Sequence, residues 1–178
     1  MSHAEHQARA DAFREAPIRC AVVTVSDTRT EETDRSGSLT RKRLRKAGHE
    51  VALYKIVPDD PEVIQRGIDG LAGEVDVALF NGGTGISQRD RTYDVLSEAL
   101  DKELPGFGEL FRMLSYEEIG AGAMLSRAAG GVAGGTLFFS VPGSLNAVKL
   151  ALDELILPEI EHLVWETVRQ ATAAGNTS

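Results

Sequence analysis

Cysteine is nearly absent from this chain: Cys20 stands alone among 178 residues, so no internal disulfide can brace the fold. A single thiol inside an apolar run reads as a buried structural group rather than a reactive one, and a disulfide-free chain is expected in the cytoplasm. Long hydrophobic runs are missing as well. The most apolar stretches, such as Val75 to Phe80 and Leu137 to Val141, are strand-sized, far short of the roughly 20 apolar residues that a membrane span needs. Met1 to Pro17 is polar and carries Glu5, Asp11 and Glu15, unlike a secretory signal. Positive charge is in deficit, with 19 Lys and Arg against 27 Asp and Glu and a formal net charge of −8. That balance argues against a broad nucleic-acid face, because phosphate backbones select basic surfaces. One basic cluster, Arg41, Lys42, Arg43, Arg45 and Lys46, wraps most of a helix instead of striping one side. It reads as a solvated helical face, with anion attraction or a subunit contact as the alternative. Histidine is sparse: His3, His6, His49 and His162 are scattered, with no metal-binding spacing. Ser126 has no evident His partner for a hydrolase triad.

What is present is a regular alternation of elements. Ile18 to Ser26 is a near-continuous apolar run rich in β-branched residues, the pattern of a strand buried on both faces. A helix from Ser36 to Ala47, stopped by Gly48, leads to a second strand, Glu50 to Val57. Asp60 suits a helix cap and Pro61 a first turn, and Val63, Ile64, Ile68 and Leu71 then share one face up to Gly73. A third strand, Val75 to Asn81, runs straight into Gly82-Gly83-Thr84-Gly85. Further helices are expected at Tyr93 to Leu100 and Gly108 to Ser115, then a short strand pair within Met124 to Gly135 and a buried strand from Thr136 to Val141. A long final helix from Asn146 should kink at Pro158. The β-α-β-α-β order predicts a single α/β domain, a three-layer αβα arrangement around a mostly parallel, twisted sheet. Its expected extent is residues 18–170, with a flexible arm at 1–17 and a disordered tail at 171–178.

In open parallel sheets ligands bind where the loops at the carboxyl ends of the strands converge. Four polar segments fall at such ends: Ser26-Asp27-Thr28, Pro58-Asp59-Asp60, the loop Gly82 to Asp90, and Pro142-Gly143-Ser144. Gly82, Gly83 and Gly85 let the backbone turn sharply and present bare N–H groups, an arrangement that favours an anion, and Thr84 adds a hydroxyl. A strained turn without a ligand would have the same sequence. The turn is neither a Walker loop nor a dinucleotide fingerprint, since no Gly-Lys-Ser/Thr or GxGxxG follows. Asp60 is the better capping candidate, which leaves Asp59 free to face the site, and Asp90 lies between Arg89 and Arg91. Two carboxylates beside a phosphate would repel it unless a cation lay between them; magnesium, which bridges carboxylates to phosphate oxygens, is the natural choice.

The runs Asn81-Gly82-Gly83-Thr84-Gly85-Ile86, Arg89-Asp90-Arg91-Thr92 and Pro105-Gly106-Phe107-Gly108-Glu109-Leu110-Phe111-Arg112 resemble the MoaB/MogA family of molybdenum cofactor biosynthesis. Met124-Leu125-Ser126-Arg127 and Val141-Pro142-Gly143 match in order and spacing, so the resemblance extends over residues 18–165. Leu114-Ser115-Tyr116-Glu117-Glu118-Ile119-Gly120 is closer to the MoaB branch. The resemblance implies a site for molybdopterin, whose terminal phosphate fits the anion nest, and transfer of AMP from magnesium-ATP to that phosphate with release of pyrophosphate. It makes Asp59 and Asp90 the central acids and magnesium holders, places Ser26 and Asp27 by the nucleotide, and places Ser126, Pro142 and Gly143 by molybdopterin. It also implies a trimer or hexamer, for which Phe107, Phe111 and Met113 are candidate contact residues unless they belong to the core, and other proteins of the same pathway as partners. The sequence departs from the family at Tyr93 and Asp94, where Pro and Glu are frequent. The alternatives are a non-catalytic molybdopterin-binding or carrier protein and an assembly scaffold that keeps only the fold.

Overall fold

Each apolar run of the sequence becomes a strand of one sheet in the computed structural model, which describes residues 17–169; the arm before Pro17 and the tail lie outside the described residues. The strands are β1 (Arg19–Val25), β2 (Glu50–Val57), β3 (Val77–Asn81), β4 (Lys102–Glu103), β5 (Ala129–Ala133) and β6 (Thr136–Val141), in the order β2-β1-β3-β6-β5-β4. β2, β1, β3 and β6 run parallel, while β5 is antiparallel to both β6 and β4. Residues along β1 alternate between two cores. Cys20 and Val22 join Leu79, Phe139, Leu152, Ile156 and Ile160 on one face. Ala21, Val23 and Val25 join Ile64, Ile68, Phe80, Leu96 and Phe138 on the other. Helices cover both faces, giving the three-layer αβα architecture expected from the alternation.

Helix starts follow local chemistry. α1 (Arg35–Lys46) opens at Asp34, whose carboxylate accepts the Gly37 N–H at 2.9 Å. α2 (Pro61–Leu71) opens at Asp60, which accepts the N–H groups of Glu62 and Val63 at 2.9 and 3.0 Å, with Pro61 in the first turn. Asp59 is thereby released from capping. α3 spans Thr92–Ala99. α4 (Pro105–Ile119) is longer than the apolar period Gly108 to Ser115: Pro105 suits its first turn, and the exposed Tyr116, Glu117 and Glu118 continue it as far as Gly120.

Two expectations need correction. The stretch 124–135 holds one strand instead of a pair; Gly120–Leu125 forms a 3-10 turn, and the partners of β5 are β6 and the two-residue β4, too short and exposed to show a periodicity. The last helix is also more broken than a kink at Pro158. α5 (Leu145–Leu150) leads into a π-helical segment (Ala151–Ile156), in which the Leu157 N–H reaches the Leu152 carbonyl, before α6 (Leu157–Val164) and a second π segment (Trp165–Arg169). A wide turn just ahead of Pro158 relieves the clash its ring would make with the preceding turn. Phe107 and Phe111 are buried, and Phe107 packs on Phe139 with ring centroids 4.8 Å apart, so both are core residues; Met113 remains exposed. Among the described residues, no helix is long and apolar enough to cross a membrane.

Candidate functional site

Register fixes where the polar loops meet. Val25 pairs with Val57, Thr24 with Asn81, and Asn81 with Val141, so the parallel strands end along one edge. From β1 the sheet extends to β2 on one side and β3 on the other, which makes the β1/β3 boundary the topological switch point where loops diverge and leave a crevice. A cleft of about 410 Å³ opens there, lined by Val25, Ser26, Thr28 and Arg29 after β1, the turn 82–85, and Asp90, Leu125, Pro142 and Gly143.

The glycine turn forms the cleft wall in a conformation that side chains do not tolerate. Gly82 has φ 103° and Gly83 has φ 64°. A Cβ on Gly82 would collide with the Val25 carbonyl oxygen, and one on Gly83 would meet Thr92 Oγ1 and lie 2.6 Å from Asp59 Oδ2. The Gly82 N–H is tied to the Val141 carbonyl at 3.0 Å. The next N–H groups, of Gly83, Thr84 and Gly85, make no hydrogen bond among the described residues, nor does the Thr84 hydroxyl. Their carbonyls are held from elsewhere: Arg127 donates from Nε to Thr84 O at 2.9 Å and from Nη2 to Gly85 O at 2.6 Å. The same guanidinium grips Asp94 at 2.9 and 3.2 Å and lies 4.5 Å from the centre of the Tyr93 ring. Successive open N–H groups on a rigid turn are a nest for an anion.

Carboxylates surround this nest. Asp90 lines the cleft, and its Oδ2 accepts the Ser87 N–H at 3.1 Å and the Ser87 hydroxyl at 2.5 Å. Asp59 accepts the Arg91 N–H at 3.1 Å, and its own N–H donates to Asp27 Oδ1 at 3.1 Å. Burial first, then the charges of Asp90 and Asp27, push the Asp59 carboxyl above its ordinary value despite the Arg91 N–H. Beside it, the fully buried Thr92 Oγ1 has no hydrogen-bond partner among the described residues. Among the described residues no group of three or more acidic, His or Cys side chains is arranged to hold a metal ion. Magnesium bound through one or two carboxylates and completed by phosphate oxygens needs no such group, and an Asp59 strained by its acidic neighbours fits a cation arriving with its ligand.

The structure brings Ser26, Gly82, Gly83, Thr84, Gly85, Asp90, Pro142 and Gly143 to one cleft. Asp59 and Asp27 do not line the cleft, and the Asp59 N–H donates to the exposed Asp27 carboxylate; Ser126 follows the cleft residue Leu125 without lining the cleft itself. Three participants escaped sequence reasoning. Arg29 lines the cleft. Asp34 is buried behind it and accepts hydrogen bonds from Thr24, Tyr54 and Ser36 as well as Gly37. Arg127 clamps the turn. Asp34 left a trace as an acid ahead of Ser36-Gly37 at a helix start, and Arg127 closes the run Met124-Leu125-Ser126-Arg127, where no role was assigned to it; Arg29 sits in no pattern that distinguishes it from surface charge.

Residues 21–162 match the family model described as a probable molybdopterin binding domain. Molybdenum cofactor biosynthesis protein B of Bacillus cereus (strain ATCC 14579) is 54% identical over 96% of this chain and all of its own length. Its counterpart in Bacillus subtilis (strain 168) is 51% identical over 93% of this chain and 97% of its own. Among solved structures, a molybdenum cofactor biosynthesis protein B superposes with a TM-score of 0.81 at 56% identity, covering 85% of this chain and 96% of its own. The tungsten cofactor synthesizing protein MoaB from Pyrococcus furiosus gives 0.75 at 41% identity, with coverages of 85% and 97%. The chain therefore belongs to the MoaB/MogA family of molybdenum cofactor biosynthesis proteins.

Proposed function

We propose that the protein acts in molybdenum cofactor biosynthesis, binding molybdopterin through its terminal phosphate and transferring AMP to that phosphate from magnesium-ATP. The observation that carries this reading is the row of open N–H groups at Gly83, Thr84 and Gly85 in a cleft edged by Asp90. The Thr84 hydroxyl and the Pro142-Gly143 backbone supply further contacts to the phosphate and its pterin, with Ser126 beyond Leu125. Ser26 and Asp27, at the end of β1, serve the nucleotide side.

In the transfer, an oxygen of the molybdopterin phosphate attacks the α-phosphorus of ATP; the bond from that phosphorus to the bridging oxygen breaks, and pyrophosphate leaves. The chain contributes orientation and charge placement, which dominate phosphoryl-type transfer. The nest holds the acceptor phosphate against the cleft wall, while Asp59 and Asp90 carry the charge that a magnesium ion needs beside it. Magnesium, when bound, screens the repulsion between the two anions. Thr92 Oγ1, buried and unpartnered next to Asp59, is placed to hydrogen-bond that carboxylate or its ligands. The protein works in this reading as a cytoplasmic homo-oligomer, a trimer or hexamer, alongside other proteins of the pathway. The exposed Leu110, Met113, Tyr116 and Ile119 spread apolar area over the solvent side of α4, a surface for a second copy of the chain.

Incubation with molybdopterin and magnesium-ATP should yield adenylyl-molybdopterin and pyrophosphate, and Asp90→Ala should lose turnover while retaining molybdopterin. Tight molybdopterin binding without pyrophosphate, indifferent to Asp59→Asn, would instead establish the carrier reading.

A further inference from the structure

Arg29 reaches the cleft through a chain of local constraints. Ser26 Oγ accepts the N–H groups of Thr28 and Arg29 at 3.2 and 3.1 Å, which bends the loop after β1 inward. The Arg29 guanidinium, one-third exposed, donates from Nη1 to Ser36 Oγ at 2.6 Å and from Nη2 to the Gly143 carbonyl at 2.9 Å. Its Nη1 lies 3.6 Å from Asp34 Oδ1, and that carboxylate is completely buried. Thr24 and Tyr54 bind the other Asp34 oxygen at 2.6 and 2.7 Å, and Asn81, the residue ahead of the glycine turn, bonds both Thr24 and Ser36. A buried anion and a hydrogen-bonded frame thus hold one cation at a fixed place. A neutral donor could strap Gly143 equally well, whereas the charge of Arg29 balances the buried Asp34 carboxylate and, being one-third exposed on the cleft, stays open to a second anion.

Three features point that charge at a ligand. Arg29 lines the same cleft as the open N–H groups. Its Nε–H makes no hydrogen bond among the described residues, and the Nη groups retain hydrogens beyond the two bonds they make. Gly143 keeps the intervening space clear, since a side chain there would come within 3.1 Å of Gly82 Cα and 3.8 Å of Arg29 Nη1.

We propose that Arg29 is a second phosphate-binding group of the cleft, positioned by Asp34, and that it and the glycine turn together hold two linked phosphates. This rests on the phosphate-binding reading of the turn but not on the transfer reaction. The ligand class is a diphosphate ester or pyrophosphate, whichever end of the proposed reaction supplies it.

Inorganic pyrophosphate, titrated calorimetrically into the full chain without metal or nucleotide, tests binding apart from turnover. Wild-type protein binds; Arg29→Gln binds at least about tenfold more weakly, the scale of a lost charge-assisted hydrogen bond. Arg29→Lys recovers part of the loss, because it keeps the charge without the planar fork. Absence of wild-type binding, equal affinity in Arg29→Gln, or equal losses in the Gln and Lys variants would overturn the proposal, the last result marking a strap. Phenylglyoxal labelling of unaltered protein avoids any folding defect: pyrophosphate protects Arg29 if the proposal holds, and an unchanged labelling rate refutes it. Loss of AMP transfer with pyrophosphate binding intact would instead count against the transfer reading alone.

Discussion

Replacing Asp34 with alanine gives a stability change whose size follows from its contacts. Its carboxylate caps α1 through the Gly37 N–H and accepts three side-chain hydroxyls, from Thr24, Tyr54 and Ser36. Loss of the cap costs about 1 kcal/mol. Hydrogen bonds to a buried charged group are worth roughly 1.5–3 kcal/mol each, but Thr24 and Ser36 keep the bonds they already make to Asn81, and Tyr54 is only half-buried. A net loss of about 3–4 kcal/mol is therefore expected, a sizeable share of the roughly 5–15 kcal/mol that holds a typical domain folded. Urea unfolding of wild type and Asp34→Ala at pH 7 measures it as a shift in midpoint. The pH dependence is a second check. Burial alone would raise the Asp34 carboxyl, yet hydrogen bonds from Thr24, Gly37, Tyr54 and Ser36 outweigh it and hold the group below its ordinary value. The stabilisation is then complete above the unfolded carboxyl value of about 3.9 and fades as pH falls through the lower folded value. The gap between wild type and Asp34→Asn should narrow in acid. A loss under about 1 kcal/mol at pH 7, or a gap that widens in acid, would refute the reasoning.

Cys20 is fully buried, and burial first, then Asp76 and Glu50, pushes its thiol up to about 12. A thiol reagent at pH 8 should leave it unmodified in folded protein and modify it completely in guanidinium; rapid labelling of native protein would contradict its core position. Arg127→Met removes the two bonds to the turn carbonyls and the Asp94 pair. Faster hydrogen exchange of the Thr84 to Ser87 amides and weaker molybdopterin binding are expected, and unchanged exchange would show that the turn is rigid without the clamp. Met113→Lys places a charge on the exposed face of α4; light scattering should find a smaller assembly than wild type, and an unchanged mass would remove that face from the interface.

The sheet was legible because parallel strands buried on both faces leave continuous apolar runs, as in Cys20 to Val25 and Leu137 to Val141. Asp60 and Pro61 announced α2 through capping chemistry, and the glycine turn announced the cleft. β4 was hidden because its partner, rather than its own pattern, makes it a strand, and the π segments because wide turns answer to a proline clash and to packing on the core. Ser26 was legible as a polar residue at a strand end and, through the family resemblance, as a nucleotide contact; its use in turning Arg29 inward depends on hydrogen bonds across the loop. Arg29 gains its role from a carbonyl 114 residues away, Arg127 from turn carbonyls 43 and 42 residues away, and Asp34 in part from Thr24 and Tyr54, 10 and 20 residues away, separations that local pattern cannot bridge.

The central claim is that the backbone of the glycine turn receives the phosphate. Amide NMR spectra recorded while molybdopterin is added test it directly. The Gly83, Thr84 and Gly85 resonances should move in a saturable manner, and amides near Arg19 and Glu50, at the opposite end of the parallel strands, should stay in place. Saturable shifts elsewhere with those three amides unmoved would contradict the account.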